Sequence, residues 1–160
     1  MLPRDYAAEN CSIARTLEVV GDRWTLLIVR EALAGVTRFD VFLERLGVAR
    51  NVLADRLARL VEEGILDRCA YQQRPVRCDY VVTEKGHDLW PVLASLMAWG
   101  DRYTAPNGAP RVLTHAGCGG RAHQVVMCAS CGWELASGEL ITRPGPGGRR
   151  RRPARIGSST

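Results

Sequence analysis

Residues 50–68 read RNVLADRLARLVEEGILDR, an amphipathic helix that ends at a glycine and leads into a strand. One apolar stripe follows the helical spacing i, i+4, i+7 and i+8: Leu53, Leu57, Leu60 and Val61. The other side of the helix is mostly polar and rich in arginine, and Gly64 is a typical helix end. The pattern predicts a helix over residues 50–63 with one face for a core and one for a partner.

The elements around this helix define an order. Upstream, apolar spacing predicts helices over residues 12–20, 23–34 and 38–46, with Asp22 as an N-cap of the second. Downstream, residues 66–71 and 78–83 have strand character, joined by a connection over 72–77 that Pro75 stiffens. Thr83 then caps a long helix to residue 103, which Pro91 should bend. Helices followed by a hairpin with a charged tip and a last helix are the order of a winged helix-turn-helix.

The helix at 50–63 has the properties of a recognition helix. Such a helix needs an apolar face for its own domain and side chains on the other face that reach base edges. Arginines offer forked donors to phosphate or guanine, asparagine can pair with adenine, and arginines at a hairpin tip can reach the minor groove or phosphates. The residues predicted to contact DNA are Arg50, Asn51, Val52, Asp55, Arg56, Arg59, Arg74 and Arg77.

Two other interpretations of these arginines stay open at this point. They can form a solvated helix face and loop, or they can belong to a protein-interaction adaptor that does not bind DNA. An enzyme is not expected, because the chain has no nucleophile elbow, no phosphate-binding glycine loop and no convincing carboxylate pair.

The charge of the chain is unevenly distributed. The net charge is +5, but residues 1–103 carry 14 Lys+Arg against 15 Asp+Glu, and residues 104–160 carry 8 against 2. DNA binding by the first part must therefore depend on local arrangement rather than on overall charge. No apolar stretch approaches the roughly 20 residues of a membrane span, and the N-terminus lacks a signal-peptide core. We therefore expect a cytoplasmic protein, associated with the nucleoid when it is bound to DNA.

Several motifs together resemble the HxlR family of winged helix-turn-helix regulators. Cys11-Ser12-Ile13-Ala14 and then Gly21-Asp22-Arg23-Trp24-Thr25-Leu26-Leu27-Ile28 resemble its opening cysteine and its GxxWTLLI helix. Arg56-Leu57, Leu60, Glu63-Gly64-Ile65-Leu66 and Arg68 resemble its recognition helix and first wing strand. Arg74-Pro75-Val76-Arg77 and Tyr80-Val81-Val82-Thr83-Glu84-Lys85-Gly86 resemble its wing and YxLTxxG exit. The family often has a serine where Ala49 stands, so a side-chain cap of about 1 kcal/mol is missing here.

The resemblance implies a regulator, most simply a repressor, that binds double-stranded operator DNA. It also implies a homodimer built from the first and last helices, residues 12–20 and 84–103, with Trp99 and Tyr103 as interface anchors or as ordinary core residues. Two-fold symmetry would place two recognition helices roughly 34–36 Å apart on a near-palindromic site. A small-molecule effector can act on such a dimer, but the sequence does not identify one.

Cys11 occupies the position at which some members of that family sense oxidants or electrophiles. It directly precedes a predicted helix, whose positive N-terminal dipole favours a thiolate, and Arg15 is one turn away. A buried packing role for Cys11 is the alternative. Cys69 and Cys78 fall nearly opposite each other in the predicted hairpin, where core thiols are expected rather than a redox pair.

A duplicated Cys/His pattern follows the winged domain. His115-Ala116-Gly117-Cys118-Gly119 and Cys128-Ala129-Ser130-Cys131-Gly132 each place two metal-binding side chains two residues apart, with a glycine next. One nitrogen and three sulfurs complete a tetrahedral, structural Zn²⁺ site without an open position. The predicted ligands are His115, Cys118, Cys128 and Cys131, with His123 as a substitute; free side chains or a disulfide are the alternatives.

The expected architecture is mostly α within an α+β class, with a small zinc-ribbon-like β appendage. The predicted segments are a winged domain over 1–104 with a short arm at its start, a linker over 105–110, a zinc-ribbon-like module over 111–142 and a disordered basic tail over 143–160. Within the module, residues 121–127 and 133–140 have the character of short strands. Arg149–152 and Arg155 in the tail can add nonspecific attraction to phosphates or stay solvated.

Overall fold

The computed structural model describes residues 10–147. The predicted N-terminal arm, apart from residue 10, and the arginines at 149–152 and 155 lie outside the described residues. The described residues divide into two compact units, one over residues 16–124 and one that combines residues 10–15 with residues 125–147. Among residues 10–147, no helix has the length and apolar character that crossing a membrane requires.

The first unit contains the winged helix-turn-helix, and its elements follow the predicted order. α1 spans Ser12–Val20, beginning in the other unit, and α2, α3 and α4 span Thr25–Leu33, Phe39–Leu46 and Arg50–Glu62. The wing consists of β1, Leu66–Gln73, and β2, Val76–Val82. Two further helices, α5 over Glu84–His87 and α6 over Trp90–Tyr103, complete the unit except for residues 104–124. The predicted fold class, a mostly helical winged helix-turn-helix, is confirmed.

The core lies where α2, α3, α4 and the start of β1 meet. Its large apolar side chains with at most 2% of their surface exposed come from these four elements and from the residue before β1: Ile28, Val29, Phe42, Leu53, Leu57, Leu60, Ile65 and Leu66. The apolar stripe of α4 is thus fully covered, as its spacing predicted. Three buried leucines at roughly 1.5–3 kcal/mol each are a main reason why α4 stays in place.

α2 also buries a charge. Glu31 is 2% exposed, and its carboxylate is bound by two arginines, Arg30 Nη2 at 2.7 Å and Arg45 Nη1 at 3.1 Å. Burial by itself would raise the pKa of Glu31, but the hydrogen bonds and charges of Arg45 and Arg30 hold it below its ordinary value. The ion pair between Glu31 and Arg45 joins α2 to the last turn of α3.

The long last helix that the sequence predicted is broken into α5 and α6. Pro91 lies in the first turn of α6, where its missing N–H is not needed for a helical hydrogen bond. A proline in that place ends the preceding helix, because its ring clashes with the carbonyl four residues earlier. The expectation of one bent helix is therefore wrong, and α5 is a separate single turn whose cap, Thr83 Oγ1, accepts from Gly86 N at 3.1 Å.

The wing is a regular antiparallel pair with one irregularity between Ala70 and Gln72. Pairing continues to Gln73 and Val76, so the connection is the two-residue turn Arg74-Pro75, whose peptide bond is cis, and not the longer loop expected over 72–77. Proline at the third position of a tight turn suits a cis bond and lets the flanking residues pair.

The described part of the C-terminal segment contains no strands. The expected strands over 121–127 and 133–140 are wrong: the backbone forms only isolated bridges, Thr114 with Arg121 and Met127 with Glu134, and a 3₁₀ turn over Ser137–Glu139.

Candidate nucleic-acid interface

The outward face of α4 is formed by small and polar side chains. Asn51, Ala54, Asp55 and Ala58 are exposed, while Leu53, Leu57 and Leu60 lie on the buried face. Ala49 makes no side-chain capping bond at the start of α4, as the sequence indicated. Two alanines beside Asn51 and Asp55 leave room for a close approach of this face to a groove.

Arg50 begins α4 and lies on the same side of the domain as the wing. Its side chain is 68% exposed, its guanidinium is 5.1 Å from the centre of the Phe39 ring, and Nη2 is 3.3 Å from Asp40 Oδ1. The ring and the carboxylate orient Arg50, but both charges remain in contact with water, so the pair is weak.

A concave surface of about 480 Å³ lies between the starts of α3 and α4 and the two wing strands. Four arginines line it against one acidic side chain, Asp40: Arg38, Arg50, Arg68 and Arg77. We call this surface the arginine cleft. Its charge and its place between the recognition helix and the wing fit a polyanion.

Two of the four arginines were not predicted from the sequence. Arg38 directly precedes α3, and Arg68 lies within β1. The Arg38 guanidinium is 4.5 Å from the centre of the Tyr71 ring, and its Nε is 3.6 Å from Asp79 Oδ1. The short bridge between Arg38 and Asp79 brings the start of α3 to the wing, a long-range pairing without a local sequence signal.

Arg77, by contrast, was predicted and lines the cleft, and Arg74 is exposed at the tip of the wing.

Three of the α4 side chains predicted to contact DNA make contacts within the domain instead. Val52 is half-buried and packs against the core. Arg56 Nε lies 3.1 Å from Asp22 Oδ1, and Arg59 Nη2 donates to the carbonyl of Glu18. Helical spacing places residues relative to one another on α4, but it does not say which neighbour a flanking arginine meets.

The three cysteines that precede the Cys/His segment are free thiols. Cys11 is half-buried and directly precedes α1, where its carbonyl accepts from Arg15 N at 3.1 Å. Arg15 itself donates to Asn10 Oδ1 at 2.5 Å. Cys69 is exposed, so the expectation that it is a core thiol is wrong; the register pairs it with Asp79, one step from Cys78.

The first Cys/His turn is organised around the Cys118 sulfur. His115 Nδ1 is 3.3 Å from Cys118 Sγ, and Gly120 N donates to the same sulfur at 3.4 Å. Gly119 N closes the turn on the carbonyl of His115 at 2.8 Å, with Gly119 at a φ of 69° that favours glycine.

The second turn repeats this local geometry thirteen positions later. Gly132 N donates to the carbonyl of Cys128 at 2.9 Å, with Gly132 at a φ of 71°. Backbone hydrogen bonds from Cys131 and Ser130, together with a side-chain bond from Cys131, lower the pKa of Cys128. Among residues 10–147, no three or more His, Cys, Asp or Glu side chains are gathered closely enough to hold a metal ion.

A family model described as HxlR-like helix-turn-helix matches residues 19–108, more than half of the chain. The chain belongs to the HxlR-like helix-turn-helix family. The match covers α2 to α6 and therefore contains the arginine cleft and the outward face of α4.

Similar proteins extend this finding beyond the winged domain. The chain is 45% identical over 140 residues to an HTH-type transcriptional regulator of Mycobacterium tuberculosis, Rv3095, covering 87% of this chain and 89% of that protein. The crystal structure of PA1607, described as a transcription factor, superposes with a TM-score of 0.75 at 36% identity and covers 84% of this chain and 94% of its own. Each of these two matches covers more of the chain than residues 19–108, the segment that the family model matches. The similarity to these two proteins therefore includes further parts of the chain.

A third similar protein is a redox regulator, HypR, solved in its oxidised form. It has 29% identity and a TM-score of 0.53, and covers 57% of this chain and 96% of its own. All three similar proteins are regulators rather than enzymes. This protein is accordingly a DNA-binding helix-turn-helix transcriptional regulator of the HxlR family.

Proposed function

We propose that the protein is a homodimeric repressor that binds a near-palindromic operator through α4 and the wing. The observation that carries the proposal is the arginine cleft, which gathers Arg38, Arg50, Arg68 and Arg77 beside the outward face of α4. Phosphate contacts of this kind set the position of a protein on the duplex, and side chains in the groove then read the bases.

In this proposal the exposed face of α4 reads base edges. Asn51 is suited to adenine and Asp55 to the amino group of cytosine, while the two alanines beside them allow contact with thymine methyl groups. Arg74 and Arg77 on the wing reach the neighbouring minor groove or its phosphates. Arg50 can exchange Asp40 for a phosphate at low cost, because the pair is exposed on both sides.

The proposed dimer uses the exposed apolar face of α6. Four of its side chains lie at i, i+4, i+7 and i+11 and are between 41% and 62% exposed: Val92, Leu96, Trp99 and Tyr103. The rings of Trp99 and Tyr103 are 5.4 Å apart. A helix that leaves such a stripe uncovered is a typical self-complementary interface for a two-fold pair. α1, which leaves Leu17 45% exposed, is the proposed second element of the interface.

Cys11 is the proposed redox-sensing residue. It is a half-buried free thiol directly before α1, and the similar protein HypR is a redox regulator. Oxidation would add bulk and polarity beside a helix of the proposed dimer and so change the distance between the two recognition helices.

We also propose that the chain binds one structural Zn²⁺ through His115, Cys118, Cys128 and Cys131. Support comes from the donor set, three sulfurs and one nitrogen, and from the two turns, each closed by a glycine with positive φ. Backbone hydrogen bonds from Cys131 and Ser130 lower the pKa of Cys128 and so favour its thiolate, which is the form that coordinates zinc.

Metal analysis of protein purified without chelator tests the zinc proposal. We expect about one zinc per chain in the wild type, and a large loss in Cys118→Ser and in Cys131→Ser. Cys69→Ser is the matched control, since Cys69 is an exposed thiol outside both turns. Zinc-free protein in which all six thiols react freely would contradict the proposal.

DNA binding to the intergenic region upstream of the protein's own gene tests the main proposal. The wild type should bind this DNA about 10³-fold or more tightly than unrelated DNA. Arg50→Ala and Arg77→Ala should weaken binding and should each reduce the salt slope by about 0.9, the share of one lost phosphate contact. Arg111→Ala is the control, because Arg111 is exposed and lies outside the cleft. Equal affinity for both DNAs would contradict an operator at this place.

A further inference from the structure

Two of the arginines on α4 bind the corner between α1 and α2. Arg56 and Arg59 are three residues apart and therefore share a face of the helix. Arg59 Nη2 donates to the carbonyl of Glu18 near the end of α1. Arg56 Nε is 3.1 Å from Asp22 Oδ1, and the two side chains are 32% and 25% exposed.

The corner itself is tightly built. Asp22 Oδ1 accepts from Trp24 N at 3.0 Å and from Thr25 N at 3.1 Å, and Oδ2 accepts from the Thr25 hydroxyl. Burial alone would raise the pKa of Asp22, but these hydrogen bonds and the charge of Arg56 lower it, so Asp22 is a carboxylate at neutral pH. Gly21 has no room for a side chain, since a Cβ would lie 2.4 Å from the carbonyl oxygen of Leu17.

Both arginines are therefore attached to a corner that cannot easily change shape. The three leucines of α4 fix its depth in the core, but an apolar contact does not determine small rotations of a helix about its axis. One hydrogen bond, from Arg59, and one ion pair, from Arg56, join two points of α4 to this fixed corner. Together they limit such rotations, because the hydrogen bond weakens quickly with angle and the ion pair weakens with distance.

We infer that Arg56 and Arg59 are positioning residues, which orient the outward face of α4 for base reading without contacting DNA. The inference rests on the proposed function and deepens it. It assigns base reading to Asn51 and Asp55, phosphate binding to the arginine cleft, and alignment of the helix to the Asp22–Arg56 and Glu18–Arg59 contacts.

Asp22→Asn separates positioning from DNA contact by the sign of its effect. Asparagine still accepts the capping hydrogen bonds of α2 but cannot hold a guanidinium as a carboxylate does. If Arg56 positions α4, Asp22→Asn should weaken binding to the upstream DNA about fivefold, in the same direction as Arg56→Ala. If Arg56 contacts DNA, removal of a competing carboxylate should tighten binding instead.

The experiment measures binding of the full-length protein to that DNA over a range of salt concentrations. The variants are Asp22→Asn, Arg56→Ala, their double variant, Arg59→Ala and Arg59→Lys, with Arg77→Ala as the phosphate-contact reference. We expect the double variant to bind the upstream DNA no more weakly than Arg56→Ala does. The salt slopes of Arg56→Ala and Arg59→Ala should equal that of the wild type. Arg59→Lys should recover most of the affinity that Arg59→Ala loses. A slope reduced by about 0.9 in Arg56→Ala, or tighter binding by Asp22→Asn, would overturn the inference.

A second measurement keeps the inference separate from the proposed function. If the wild type and Arg77→Ala show no specific binding, the proposed operator fails and the positioning contacts are judged by urea unfolding of the same variants. Midpoint shifts of Asp22→Asn and Arg56→Ala that are not additive in the double variant support the contact, and strictly additive shifts overturn it.

Discussion

At the scale of single residues, close contacts in the fold can decide which residue type a position accepts, even against that residue's helix propensity. Gly86 has an ordinary helical conformation, yet a Cβ there would lie 2.4 Å from the carbonyl oxygen of Ile65 and 2.7 Å from Val82 Cγ1. The missing side chain lets α5 lie directly against the residue before β1 and against the end of β2. A close approach of this kind explains a glycine inside a helix, where glycine is otherwise unfavourable.

Gly86→Ala should therefore destabilise the winged domain by about 1–3 kcal/mol, because either the backbone or Val82 must move. Urea unfolding followed by circular dichroism measures the change. Gly100→Ala in α6 is the control, since its new methyl group meets only Thr104 Oγ1 at 3.6 Å and alanine favours a helix. Equal stability of Gly86→Ala and the wild type would show that α5 does not need this contact.

Cys11 provides a second prediction at this scale. In the wild type, peroxide or diamide should weaken binding to the upstream DNA, and dithiothreitol should restore it. Cys11→Ser should bind DNA like the reduced wild type and no longer respond. Cys69→Ser, which removes an exposed thiol of the wing, should keep the full response; if it loses the response and Cys11→Ser does not, the sensor is in the wing.

At the scale of elements, ion pairs of the first unit connect helices that are apart in the sequence. Glu31 on α2 is held by Arg45 on α3 as well as by its neighbour Arg30, and Asp22 before α2 is held by Arg56 on α4. In both carboxylates the hydrogen bonds and charges outweigh burial, so the folded state has the lower pKa.

A carboxylate with a lowered pKa stabilises the fold above the pKa of the unfolded chain, and this contribution is lost as the pH falls through the folded value. Unfolding free energy should therefore decrease below about pH 4.5, the ordinary value of glutamate. Glu31→Gln should cost about 1–3 kcal/mol at pH 7, moderated by the exposure of both arginines, and should flatten the acid dependence. Urea unfolding at several pH values measures both effects, and Glu62→Gln, at an exposed position, is the control. If the acid dependence of the unfolding free energy is unchanged in Glu31→Gln, Glu31 is not its source.

At the scale of the whole molecule, the proposed function requires a second copy. The outward face of one α4 is too short to read a long operator, and the exposed stripe on α6 offers an apolar surface for a two-fold partner. Aromatic side chains at the centre of such an interface usually carry most of its energy.

Trp99→Glu should consequently yield a folded monomer at micromolar concentration, as measured by sedimentation velocity, and should weaken operator binding strongly. Trp133→Glu is the matched control, because Trp133 is 67% exposed but does not belong to α6. If Trp99→Glu remains a dimer with unchanged affinity, the subunits meet through another surface.

The sequence by itself determined the order of the elements, the buried face of α4 and the family of the protein. These depend on the spacing of apolar residues and on local motifs, which are properties of short segments. Only the tertiary structure decided that Arg38 and Arg68 join Arg50 and Arg77 in one cleft, and that Arg56 and Arg59 meet the corner of α1 and α2. The physical reason is that the partner of a long polar side chain is set by which distant segment the core brings beside it, such as Glu18, 41 positions before Arg59.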